Sequence, residues 1–479
     1  MERRFEELQA QVEELARELR EMGRRVDRLD EQRVSARAED GAPDGVATAD
    51  ETAADNLGRA AAFARMSPAR VVALVGRTLV ILGGGYLFRA LTDAALVPSL
   101  VGVAAGLLYG TWWLLAADRA AIAGDRLSAS FFGLVAAMIV CPLVWETTAR
   151  FELLVPAAAA TTLVIFLGFG LAVTWRRDLE AVAWIMVLFA VATMFGLLIS
   201  TREWLLFSIG LLALAATVEV LAVNDRWLGL RWPAAAGADL SILLLLSIAL
   251  RKGQPPDGAE LLSPGWVIGV SVALPILYLA TIAVRTLLRE RTVSTFAVAQ
   301  AGVALLIGFG GAARVVVFNG ANPAALGIAS VALGIACYTA AFAVIDRRLG
   351  LGANFYSYSS FAGLLIMAGS SVILPPNALA LLWSVLAIAA VWLGGHFDRI
   401  TLRFHGVAYL MMAAVVCGLV VLAWDGLAAD PTSMPWHAAP ACLLVAVAAA
   451  VCYAMLVAMP TARSSQLADM LPQAVSAAL

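Results

Sequence analysis

Four polar side chains fall inside stretches otherwise apolar enough to cross a bilayer: Arg77, Glu219, Asp239 and Gln300. A charge at the centre of a membrane helix costs about 2.5–3.5 kcal/mol on insertion scales, so each needs a partner or a function. Arg77 lies about two turns into the first apolar stretch, and the other three lie at a similar depth. Arg77 is expected to pair with Glu219 or Asp239 across a helix interface, making an intramembrane polar site with Gln300. The plainer alternative is a structural ion pair, or an arginine snorkelling to the headgroups. A second set comprises Arg89 and Arg314, near the outer ends of two apolar stretches and just after glycines (Gly83 to Gly85; Gly308, Gly310 and Gly311). Glycine allows close approach or local unwinding, so an arginine beside it could contact an anion such as a lipid phosphate. Glu146 lies at the same outer depth as a simple ion partner.

Other chemistry is absent by motif. There is no P-loop, no H-E-x-x-H and no G-x-S-x-G. Asp93 is an isolated acid in a short turn. The five cysteines (Cys141, Cys337, Cys417, Cys442, Cys452) show no C-x-x-C spacing and read as small apolar residues. No catalytic, cofactor or metal residue is expected, and an intramembrane transferase ranks last among the possible functions.

The elements that position these residues follow from composition. The chain has 479 residues, 61% hydrophobic and 14% charged, with a mean hydropathy of +0.85. A soluble domain is about half apolar and a quarter charged. The excess is grouped into runs of about twenty residues, the length of a membrane-crossing helix. Expected spans are 70–92, 95–117, 127–147, 153–175, 179–200, 202–223, 233–251, 263–284, 293–317, 324–345, 354–374, 378–395, 405–424 and 438–459, about fourteen in all. The alternating ten-residue segments of a barrel are missing. Thirteen arginines, among them Arg177, Arg231, Arg285 and Arg403, fall on one set of loops; Arg150, Arg202, Arg251 and Lys252 fall on the other. That bias puts both termini in the cytoplasm.

Before the spans, Phe5, Val12, Leu19 and Val26 alternate with Leu8, Leu15, Met22 and Leu29 in an unbroken heptad series. Such a seam calls for a partner helix, and self-association through residues 5–29 is the expectation. A single amphipathic helix on the headgroups is the alternative. The N-terminus is polar, so no cleavable signal is expected. Charge there is mixed in sign, which excludes a basic arm for nucleic acid. The organisation reads as a coiled-coil helix (1–32), an acidic linker (33–68), a first membrane block (69–285), a second block (286–460) and a cytoplasmic tail (461–479).

The two blocks look alike. Gly83, Arg89, Pro98 and Gly102 recur as Gly308, Arg314, Pro323 and Gly327, each 225 positions on. The run from Ala181 to Met186 matches that from Gly406 to Met411 at the same offset, and the run from Ser130 to Leu134 matches that from Ser360 to Leu364 at 230. Both copies enter the membrane in the same direction, which predicts a parallel repeat about an axis near the membrane normal.

The heptads of residues 5–29, the segment 75–84, the segment 89–106 and the run 130–134 together resemble the bacterial predicted membrane proteins of the domain-of-unknown-function 2339 family. The resemblance implies a coiled coil, a variable tether and many short-looped helices in a bacterial cytoplasmic membrane; it lends no activity and no catalytic residue. The chain is thus expected to be an all-α, polytopic membrane protein with the lipid bilayer as its partner. Transport or lipid handling, at a site between the repeats and for an unspecified small molecule or lipid, is the first functional reading. A non-catalytic scaffold assembled through the heptads is the second.

Overall fold

A bilayer offers backbone groups no water, so a chain this apolar must satisfy its own amides within helices. The computed structural model describes residues 76–80, 82–85, 87, 90, 94, 97–224, 226–251, 262–348, 352–428, 440–459 and 472–476. Every regular element among them is helical. The heptad segment, the acidic linker, Arg89, Asp93 and most of the C-terminal tail lie outside the described residues.

The helices are α1 (Ser99–Ile122), α2 (Arg126–Ala149), α3 (Pro156–Arg177), α4 (Glu180–Thr201), α5 (Trp204–Ala222) and α6 (Arg231–Ala249). Then come α7 (Pro264–Leu288), α8 (Thr295–Phe318), α9 (Ala324–Ile345), α10 (Ala353–Ile373) and α11 (Pro376–His396). The last three are α12 (Ile400–Val416), α13 (Leu419–Ala428) and α14 (Pro440–Ala458). Among the described residues, twelve helices are long and apolar enough to cross a membrane, and the bent pair α12–α13 would make a thirteenth. The protein is therefore an all-α, polytopic membrane protein.

These helices fall on the expected spans from 95–117 onward. The first span, 70–92, lies partly outside the described residues, and 76–80 and 82–85 are helical. Span 405–424 is covered by a bent pair of helices. It is not one rod: α12 stops at Val416 and α13 departs at 67°. The cause is Gly418, whose φ of +83° is a left-handed conformation that glycine adopts without a Cβ clash.

Helix starts follow simple chemistry. Proline opens α3, α7 and α11, where no helical partner for its nitrogen is needed. Asp125 accepts the Ser128 amide at 3.1 Å and caps α2. Sequence neighbours pack as hairpins, closest in α1–α2, α9–α10 and α11–α12. Small residues permit this: a Cβ on Gly327 would lie 2.7 Å from the Gly369 carbonyl oxygen, so the α9 and α10 backbones touch. Buried apolar side chains form one large cluster from Leu114 to Phe361 and another on α11, α12 and α14, from Leu379 to Leu456. Leu333, Ile335, Trp392 and Val447 point outward, as lipid-facing residues do.

Two ion pairs tie helix ends together. Arg177, the last residue of α3, donates to Asp118 in the last turns of α1 at 2.6 Å. Arg399, just past α11, donates to Asp346, just past α9, at 2.7 Å.

Candidate functional site

Four helices, α5 to α8, enclose a cluster of polar groups. Glu219 sits near the end of α5 and Arg231 opens α6, the two joined by a short turn and the 3-10 segment Leu228–Leu230. This geometry folds Arg231 back onto Glu219: Nε donates to Oε1 at 2.8 Å, and the side chains are 3% and 2% exposed. The guanidinium also lies 4.9 Å from the centre of the Phe296 ring on α8, a cation–π contact. About two turns further along α6, Asp239 Oδ2 accepts the Gln300 Nε2 amide of α8 at 2.8 Å. The Tyr278 hydroxyl of α7 faces Gln300, with Asp239, Glu219 and Arg231 close by.

The pairing leaves a remainder. Glu219 Oε2, Asp239 Oδ1 and the Tyr278 hydroxyl are buried without a hydrogen-bond partner. The Arg231 guanidinium is committed to Glu219. A buried carboxylate is stable only when neutralised by a proton or a cation, because desolvation of an ion costs several kcal/mol. Asp239 is hydrogen-bonded by a neutral amide alone, so its free oxygen is the natural place for that positive charge.

A second buried polar spot lies further along the same two helices, α7 and α8. Seven residues from Tyr278 on α7, about 10 Å along the same face, Ser271 Oγ is also buried and unpartnered. The Ser271 carbonyl is freed because Pro275, four residues on, has no amide hydrogen. Gly308 of α8 meets it: a Cβ added there would be 2.3 Å from the Ser271 oxygen and 2.5 Å from Pro275 Cδ. At that level α8 widens into the π turn Leu305–Phe309, a distortion frequent at functional sites.

The structure thus brings Glu219, Asp239 and Gln300 into one cluster. Arg77 lies elsewhere. Its guanidinium lies 4.9 Å from the centre of the Phe132 ring on α2, and Arg231 holds Glu219. Arg314 is exposed in the last turns of α8.

Arg231 and Tyr278 were not singled out from the sequence. Arg231 reads there as one more loop arginine, and only the helix start at that residue turns it inward. Arg285 and Arg403, from the same set of loop arginines, are also buried. Arg285 Nη1 donates to the Ala222 carbonyl at the end of α5 at 2.6 Å. Arg403 donates to the Met459 carbonyl just past α14. Both satisfy orphan carbonyls and complement the negative end of a helix dipole.

A second polar contact lies in the later helices. The Tyr338 hydroxyl of α9 shares a 2.8 Å hydrogen bond with His405 Nδ1 of α12, and Tyr409 lies beside it. Among the described residues, no group of three or more His, Cys, Asp or Glu side chains could hold a metal ion. Comparison of the chain with protein-family models, curated proteins and solved structures gave no match.

Proposed function

We propose that this integral membrane protein is a proton-coupled transporter of a small polar solute, with Asp239 as the group that takes up and releases the proton. One observation carries the reading. Asp239 is 8% exposed, its Oδ1 has no partner, and its neighbour at Oδ2 is a neutral amide. A structural network would be expected to close its last bond; a carboxylate left open inside a membrane bundle is suited to cyclic charge change. Arg231 holds Glu219 fixed, Gln300 orients Asp239, and Tyr278 places a buried hydroxyl beside Gln300. Ser271 and the π turn of α8 lie further along the same helices, and irregular backbone at membrane depth is tolerated where it is enclosed by protein or lines a cavity.

The site lies on α5 to α8, where the two sequence-matched blocks meet. Support for the parallel repeat comes from the ion pairs: Asp118 with Arg177 joins the ends of α1 and α3, and Asp346 with Arg399 joins the corresponding ends of α9 and α11. With the arginine-rich ends inward, the cluster lies on the cytoplasmic side of the membrane centre.

The test is charge movement in proteoliposomes on a solid-supported membrane under an imposed proton gradient, with panels of small polar solutes. Solute-dependent current that Asp239→Asn abolishes is expected. A silent parent, together with an Asp239→Asn protein of unchanged stability, would sink the reading. It would favour a non-transporting scaffold, a reading supported by the near-complete enclosure of Glu219 and Arg231.

A further inference from the structure

At the break between α12 and α13, two thiols meet. Cys417 closes α12, its amide bonded to the Ala413 carbonyl at 3.0 Å. Its thiol is half-buried and faces the Ala414 carbonyl at 3.5 Å. Cys442, in the first turn of α14, is buried and directs its thiol to the Cys417 carbonyl at 3.2 Å. The Cys442 sulfur lies 3.2 Å from the Cys417 carbonyl oxygen, which makes the two residues neighbours at the bend, and a disulfide needs Cα atoms about 4.4–6.8 Å apart. The site also has access: an oxidant need reach only Cys417, which is partly exposed at the bend.

Position favours oxidation. α12 has 17 residues, about 25 Å of rise, so Cys417 sits near the far edge of the hydrocarbon layer from the start of α12. By the arginine distribution that edge is the outer one, where disulfides form and persist.

We propose that Cys417 and Cys442 are a redox pair that closes to a disulfide, stapling the α12–α13 break to α14. The co-reactant is a disulfide oxidant, RSSR. The Cys417 thiolate attacks one of its sulfurs, forming a mixed disulfide and releasing one thiolate. The Cys442 thiolate then attacks the Cys417 sulfur and releases the second. Two protein thiols lose two electrons, RSSR gains them, and the two thiol protons end on the two released RSH molecules. Once closed, the bond fixes the bend and holds α13 to the last helix.

The experiment uses the full chain in lipid nanodiscs, equilibrated in glutathione buffers from reducing to oxidising, alkylated, and mapped by mass spectrometry. Under oxidising conditions a peptide linking Cys417 to Cys442 is expected, two hydrogens lighter than its reduced components, while Cys141, Cys337 and Cys452 remain alkylatable. Cys417→Ser and Cys442→Ser should each abolish the linked peptide, and the triple variant with serine at the other three cysteines should retain it. Cys417 and Cys442 both fully alkylated in the parent at the oxidising limit would overturn the proposal, as would a linked peptide joining other cysteines. The parent's map decides even if a serine variant does not fold.

Discussion

Asp118 receives the Arg177 guanidinium at 2.6 Å, linking the end of α1 to the end of α3. Asp346 and Arg399 do the same between the ends of α9 and α11. The two bridges are partly exposed, so each is worth about 0.2–1 kcal/mol. Double-mutant cycles with Asp118→Asn and Arg177→Gln, and with Asp346→Asn and Arg399→Gln, should give similar coupling energies. Thermal unfolding in detergent measures them. Coupling well above 1 kcal/mol in one bridge and none in the other would argue against equivalent roles.

Arg231→Met leaves Glu219 without its counter-charge in a closed site. Loss of one member of a buried pair costs about 3–5 kcal/mol. The variant should show a sharp fall in folded yield on size-exclusion chromatography, and Glu219→Gln added to it should restore much of that yield. If the single variant were as stable as the parent, Glu219 would have to find another counter-charge.

Gln300→Leu removes the donor to Asp239 Oδ2. A hydrogen bond to a neutral group contributes about 0.5–1.5 kcal/mol. Unfolding should shift by that order, and proton-driven current should fall because Asp239 loses its orienting contact. Retained current with lost stability would assign Gln300 to folding alone.

Gly308→Ala pushes a methyl to 2.3 Å from the Ser271 carbonyl oxygen and 2.5 Å from Pro275 Cδ. Backbone cannot yield as a side-chain tip can, so a loss of about 1–3 kcal/mol is expected. Gly310→Ala is the matched control, with no atom within 4 Å of the added carbon. Equal unfolding midpoints for the two variants would contradict the close approach of α7 and α8.

What the sequence displayed, and what it hid, follows from which forces act on each residue. The helices of 99–122 through 440–458 were legible because apolar runs of that length have little choice but to be helical in a bilayer. Glu219, Asp239 and Gln300 were legible because a polar residue among leucines and alanines is conspicuous. Their partners were not. Arg231 stands beside a loop, where an arginine ordinarily serves the headgroups, and its inward turn depends on Trp227 at φ +54° and the short segment after it. Arg77 looked a suitable partner by depth alone, since depth says nothing about which helices are neighbours. The break at Gly418 was hidden because Val416, Leu419 and Val420 are equally apolar on both sides of it. Cys417 and Cys442 lie 25 positions apart without a motif, and only the bend and the start of α14 bring them together.

The meeting of Pro275 with Gly308 has a mechanical consequence. At that height one rod already lacks a rung of its ladder, and its neighbour presents a bare α-carbon with a loosened turn. Tilting the upper half of α7 there forfeits no bond to the Pro275 nitrogen, because none exists. A bend at this level of α7 and α8, about two turns from Gln300 and its partner Asp239, would alter the enclosure of that acid while leaving the arginine-capped ends in place.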